Sequence, residues 1–405
     1  MSLISRRRFI EFTGATLATL GLDSLRLRSQ FDRHGKVLAQ DTPRKLALLV
    51  GINQYKNDPL DGCVNDVLMQ EMLLIHRFGF NPKDIVTLTD RQATRQGILE
   101  AFEEHLINQA KPGDVAVFHY SGHGSRVVDP DPIPLKSPIV DSVGLNGTLV
   151  PVDSSYPLDY LKTGGIVNDI MGHTLFLLMS AIQTENFTAI LDSCFSGLTT
   201  RDSKVRSREG GKNVKISPQE KVYQDQWLSR LDMSKEAFIE AYQTGVAKGV
   251  VLASAKPDQL ARDVRLLDFH VGIFSYLFTQ YLWQNAGTPD TAIAYTNEQI
   301  PRQLKQDPMY EVKINSNNAN QPMYFISNPG SVADAVVMET ERNQAKIWLG
   351  GLTVQQKAEL KSGTIFNGVN SGSNSLGKAI IQSRDGLTAT AQIEGNLEPG
   401  TLLSL

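Results

Sequence analysis

Short apolar runs alternate with stretches of helical period through the first two thirds of the chain. Residues 45–52 form a nearly continuous apolar run, as expected of a central parallel strand covered on both faces. Residues 63–78 have helical period, with Val64, Val67, Leu68, Met72, Leu74 and Ile75 apolar. A second strand is read at 84–89. A second helix is read at 94–110, with Ile98, Phe102, Leu106 and Ile107 near one face. Lys111-Pro112-Gly113 then turns the chain into a third strand over 114–120. This β-α-β-α-β order predicts an α/β fold: a parallel sheet, covered on both sides, with right-handed crossovers. Further on, helices are read at 168–184, around Trp227 to Tyr242, and at 272–283. Strands are read at 187–191, 249–253 and 321–327. Residues 127–166 form a long excursion rich in Pro and Asp, read as a functional loop.

Two composition shifts divide the chain. Asn328-Pro329-Gly330-Ser331 marks a boundary. Beyond it, short apolar segments separated by Gly, Asn and Ser predict a small β-rich domain over 329–405, read as a packing or partner-binding module. Residues 199–219 carry six Lys/Arg and few apolar residues, which reads as a flexible basic linker inside the main domain of 40–328. At the N-terminus, Ser5-Arg6-Arg7-Arg8-Phe9-Ile10 fits the twin-arginine export pattern, with a modest apolar core after it and small residues at Val37-Leu38-Ala39. Residues 1–39 are read as that signal, with export to a periplasm, a thylakoid lumen or the outside. The core is too short to span a bilayer, so stable membrane insertion is not expected.

The formal charge of the 405 residues is −3, and residues 1–39 hold seven Lys/Arg against three Asp/Glu, so the remainder is more acidic still. That balance argues against nucleic-acid binding and suits cationic partners. Two cysteines, Cys63 and Cys194, do not make a disulfide framework.

Cys194 stands at the end of an apolar strand in Leu191-Asp192-Ser193-Cys194-Phe195-Ser196-Gly197. Open α/β sheets place their chemistry at the carboxyl ends of such strands. His123, in Ser121-Gly122-His123-Gly124, follows a second such strand, with a glycine on each side to let the backbone turn sharply. His119 lies within that strand and reads as a core residue. Cys194 with His123 as its base forms a candidate nucleophilic pair, because an imidazole beside a thiol favours the reactive thiolate. That pair points to acyl transfer, most often peptide hydrolysis. Gly122 and the backbone N–H of Cys194 are candidates for an oxyanion hole.

The stretches around His123, Cys194 and Asp66 (Leu60-Asp61-Gly62-Cys63-Val64-Asn65-Asp66) together resemble the metacaspase branch of caspase-like cysteine peptidases, called orthocaspases in prokaryotes and grouped as peptidase C14. The resemblance covers about 45–327. It implies a caspase-like, mostly parallel six-stranded sheet with helices on both faces, and cleavage of protein or peptide substrates after Arg or Lys. It also implies a monomer. A pocket for a basic side chain needs a buried carboxylate. Asp66 and Asp192 match the pocket aspartates of the family, and Ser121 matches a substrate-contacting position. Many relatives take calcium on a cluster of carboxylates. Here the corresponding positions are Asn146, Asn168, Asp169 and, loosely, Asp202 or Arg201, which leaves Asp169 as a weak candidate ligand. No cofactor is expected to be required, and calcium is left open against a weakened site. The basic linker beside the nucleophile suggests self-processing. Two alternatives stay open: a catalytically silent scaffold on the same fold, and an acyl transferase that ligates peptides instead of hydrolysing them.

Overall fold

The computed structural model describes residues 43–133, 144–156, 160–194, 204–369 and 376–405. The export segment expected over 1–39, Arg201, Asp202 and the first part of the basic linker lie outside the described residues. No helix among the described residues is long and apolar enough to cross a membrane.

β1 (Lys45–Gly51) leads through a polar loop into α1 (Cys63–His76), then to β2 (Ile85–Thr89). The helix α2 (Arg95–Ala101) is capped by Thr94, whose hydroxyl accepts the Gly97 N–H, and continues as a wider π turn to Ile107. β3 (Val115–Ser121) is buried along its whole length. A peripheral layer follows, made of β4 (Gly124–Val128), β5 (Leu145–Leu149), β6 (Gly165–Val167) and β7 (Ile170–Met171). α3 (Gly172–Ala181) then returns the chain to β8 (Asn186–Asp192). The remaining elements of the main body are β9 (Val214–Ile216), α4 (Pro218–Arg230), α5 (Lys235–Gln243), β10 (Val250–Ala253), β11 (Asp263–Leu266), β12 (Phe269–Gly272), α6 (Ile273–Gln284), α7 (Pro289–Gln299) and β13 (Met309–Val312).

The main sheet has the order β13-β10-β8-β3-β1-β2 and is parallel except for β13, as the alternating pattern predicts. Helices α1 and α6 pack one face and α2, α3, α4 and α5 the other, which is why the central strands are apolar on both sides. Three local readings differ. The single helix expected around Trp227 to Tyr242 is two, because the chain breaks at Asp232 (φ +50°) and restarts at the Ser234 cap. The helix expected from 168 starts at Gly172. The last strand is β13, not 321–327, where Tyr324 and Phe325 take positive φ values that no strand allows.

The tail forms a closed six-stranded barrel, β14 (Ala335–Glu341), β15 (Gln344–Trp348), β16 (Ile365–Gly368), β17 (Gly377–Asp385), β18 (Thr388–Gly395) and β19 (Leu402–Ser404), which leaves no open edge. It has its own core and also joins the main one through Val336, Met338, Trp348 and Leu387. At that junction the fully buried Lys357 donates to Leu352 O and to the Tyr276 hydroxyl of α6 (3.1 Å).

The basic stretch expected to be a flexible linker is, from residue 204 onward, part of the fold. Arg206 is 0% and Arg208 4% exposed. The reason is local neutralisation: the Arg206 guanidinium finds three buried carboxylates and that of Arg208 finds one, so the segment is not a solvated loop.

Candidate active site

The register of β3 on β8 builds the site. Ser121 pairs with Asp192, so the residues two positions further, His123 and Cys194, leave the ends of adjacent parallel strands side by side. Gly124 closes the gap. A Cβ there would lie 2.4 Å from the Cys194 carbonyl oxygen, so only glycine lets these two backbones touch. Neither cysteine is in a disulfide, and Cys194 is 2% exposed.

His123 is held from three directions. Its ring Nε2 lies 2.6 Å from the Asp58 carbonyl oxygen, its backbone N–H donates to the Tyr55 hydroxyl (2.9 Å), and the Tyr55 ring packs against it at 4.4 Å. The Asp58 carbonyl fixes the proton on Nε2 and leaves buried Nδ1, which has no hydrogen-bond partner, as the basic nitrogen. Burial pulls the imidazole down to about 4, the Asp58 bond opposes this, and the nearby Arg208 and Arg206 charges add to it. In this closed arrangement His123 is therefore neutral at ordinary pH. The core residue His119 is also pulled down to about 4 by burial.

Asp66 and Asp192, the acids expected to line a pocket, converge with Asp263 on one side chain of this chain, Arg206. One terminal nitrogen, Nη1, lies 2.9 Å from Asp192 Oδ2 and 2.7 Å from Ser121 Oγ. The other, Nη2, lies 2.6 Å from Asp66 Oδ2 and 3.5 Å from Asp263 Oδ2. All three carboxylates are buried. Asp66 is tied to Ser121 Oγ and the Gly272 N–H, and Asp192 to the hydroxyl of Ser275 on α6. Burial, followed by the neighbouring Asp192 charge, outweighs Arg206 and pushes the Asp66 carboxyl up to about 7. Gly272 forms the floor: a Cβ there would lie 2.1 Å from Asp192 Oδ2 and 2.5 Å from Arg206 Nη1.

The Arg206 main chain is held as closely as its side chain. Its carbonyl oxygen accepts the N–H groups of both Cys194 and Gly124, each at 3.0 Å. Its own N–H donates to Ala261 O (3.0 Å). Val205 bridges Arg262 in antiparallel fashion, and the Asp263 N–H donates to Lys204 O. Residues 204–206 thus add to the site as an extra strand, with one carbonyl between two N–H donors at the cysteine.

The structure brings together five expected residues: His123, Cys194, Asp66, Asp192 and Ser121. It corrects two expectations. Gly122 is not beside that carbonyl. Its N–H donates to Asp192 O, continuing the strand ladder, and its missing side chain makes room for the Tyr55 and Tyr120 hydroxyls. Gly124 supplies the second donor instead. Asp169 is not an open metal ligand. Its two oxygens accept the Thr148 and Ser154 hydroxyls (2.6 Å each), and Arg208 pairs with it. Among the described residues no group of three His, Cys, Asp or Glu is arranged to hold a metal ion. The sequence reading missed Asp263 and the Asp58 carbonyl. The first opens an ordinary polar strand, and the second is a backbone atom with no residue-type signal.

Residues 45–202 match a family model described as the metacaspase, peptidase C14 domain. Metacaspase-1 of Schizosaccharomyces pombe is 37% identical over 161 residues, which is 38% of this chain and 34% of that protein. Metacaspase-1 of Yarrowia lipolytica is 35% identical over 174 residues, 41% of this chain and 34% of that protein. The chain thus spans about a third of the length of these relatives. A crystal structure of a Geobacter sulfurreducens protein superposes on 71% of this chain and 100% of its own, at 18% identity and a TM-score of 0.48.

Proposed function

We propose, from the match of residues 45–202 to the metacaspase, peptidase C14 domain, that the protein is a cysteine endopeptidase that cleaves after basic residues and whose first substrate is its own Arg206–Ser207 bond. The observation that carries this is the pose of Arg206. Its guanidinium lies among Asp66, Asp192 and Asp263 while its carbonyl sits between the N–H groups of Cys194 and Gly124. A purely structural role for this segment would not require both ends of one residue to be placed so.

In the reaction, His123 Nδ1 takes the Cys194 proton and the sulfur adds to the substrate carbonyl carbon. The two N–H donors, already aimed, stabilise the oxygen as it gains charge. His123 then protonates the departing amine, and water hydrolyses the thioester. No step uses a metal, and calcium dependence is not part of the proposal. The acids around a guanidinium supply the specificity. The twin-arginine segment at 1–39 would place this activity outside the cytoplasm.

The test is a fluorogenic peptide ending in Arg, with and without calcium, together with mass spectrometry of the linker, for wild type and Cys194→Ala. Turnover and a new N-terminus at Ser207 are expected in wild type alone. No turnover by wild type in either condition would favour the silent scaffold, and a linker still cut in pure Cys194→Ala would remove self-processing.

A further inference from the structure

Arg208 lies two residues past Arg206 and has no part in the chemistry above, yet it is 4% exposed. Its Nη2 pairs with Asp169, and its Nη1 donates to Ser154 O (3.2 Å) and Ser154 Oγ (3.4 Å). The guanidinium also stacks over the Tyr156 ring at 5.1 Å. Asp169 is itself immobilised by Thr148 and Ser154. The main chain is fixed too. The Arg208 N–H donates to Gly124 O (2.8 Å), and Ser207 bridges Gly124 in parallel fashion. Further along, Tyr160 donates to Glu209 O (2.8 Å), the Gly211 N–H donates to Arg126 O (2.8 Å), and β9 pairs with β4 and β6. The strand on the leaving side of the scissile bond is therefore tied down independently of the acidic pocket.

We propose that Arg208 is a positioning residue that, through Asp169, retains the departing strand after the bond is cut, so that the linker reseals more often than it opens. This rests on the reading that Arg206–Ser207 is a self-processing site. The chemistry balances without any co-reactant. The Cys194 sulfur bonds to the Arg206 carbonyl carbon, the bond to Ser207 N breaks, and His123 delivers the thiol proton to that nitrogen. In reverse, the Ser207 amine attacks the thioester carbon, the C–S bond breaks, and His123 returns the proton to sulfur. Hydrolysis needs water to reach the carbon in place of the amine. A nucleophile held in line acts at an effective concentration that reaches about 10⁵ M or more in well-oriented cases. An anchored Ser207 amine therefore outcompetes water, and only its release commits the thioester to hydrolysis.

The experiment follows linker opening in full-length protein at increasing hydroxylamine, comparing wild type with Arg208→Ala, Arg208→Lys and Asp169→Asn. Hydroxylamine captures the thioester as an Arg206 hydroxamate, which mass spectrometry separates from the hydrolysed acid. In wild type, only a minor fraction of the linker opens without hydroxylamine, enough to reveal the Ser207 N-terminus, and half-maximal capture needs a high concentration. In Arg208→Ala and Asp169→Asn that concentration falls at least tenfold and opening in water alone rises at least tenfold, with Arg208→Lys in between. Thermal unfolding identifies any variant that fails to fold, and Arg208→Lys and Asp169→Asn then carry the test. Hydroxamate forming equally in all four proteins would overturn retention and leave self-processing standing. Neither hydroxamate nor a Ser207 N-terminus in any of them would overturn self-processing itself.

Discussion

Replacing Arg206 by Gln in a Cys194→Ala background tests the filled pocket without interference from cleavage. In the parent, one guanidinium meets Asp66, Asp192 and Ser121 within 2.9 Å and Asp263 at 3.5 Å, with no exposure to water. Removing one partner of such a buried ionic set costs about 3–5 kcal/mol when the site stays dry. Here the pocket regains water once the loop lifts, so the lower bound is the better guide. About 3 kcal/mol corresponds to a factor on the order of 100 in binding. An external guanidinium must displace the tethered one in the parent and meets only a neutral amide in the double variant. Titration calorimetry with a short peptide ending in Arg should therefore show roughly 100-fold tighter binding to Cys194→Ala/Arg206→Gln than to Cys194→Ala. Equal affinities would refute the reasoning, since they would mean that Arg206 does not occupy the pocket in solution.

Three further outcomes are expected. In the emptied pocket, peptide affinity should rise with pH above about 7, because the Asp66 carboxyl sits at about 7 with a guanidinium present and higher without one; calorimetry on an Asp66→Asn version should show the slope lost. Gly272→Ala should lower kcat/KM for an Arg substrate by at least about 100-fold while thermal unfolding stays cooperative, because the added methyl would stand 2.1 Å from Asp192 Oδ2 where the guanidinium must lie. At the barrel junction, burial pulls Lys357 down to about 7, so below that pH the folded state bears the full penalty of a buried ammonium, relieved as pH rises from about 7 toward the ordinary lysine value. Lys357→Met should raise the melting temperature at pH 6 and not at pH 10, since that penalty, a few kcal/mol, exceeds the roughly 1–3 kcal/mol of leaving Leu352 O unpaired.

Much of the site was legible because strand ends and short motifs fix it locally. Ser121, His123, Asp192 and Cys194 follow from two apolar strands ending in polar, glycine-containing turns. Choosing between Gly122 and Gly124 was not possible from sequence, since His123 has a glycine on each side; the strand register decides it, by committing the Gly122 N–H to Asp192 O. Asp263 enters the pocket only because 204–206 pair with 261–263, a contact without local signature. The basic stretch misled for a similar reason. Its charges read as solvated, but their partners are spread from Asp66 to Asp263 along the chain. The same limit hid the last strand: β13 is a short mixed segment on the sheet edge, whereas 321–327 looks more strand-like and instead turns twice.

The three-acid cradle around Arg206 also constrains how this molecule can change. If the proposed function holds, latency and selectivity are there one property, since the groups that hold the chain's own arginine are those that would receive a foreign one. A mutation that retuned the cradle for another side chain would at the same stroke unlatch the resting protein. Drift toward a new diet is thus exposed at once as unguarded activity, unless residue 206 changes in step.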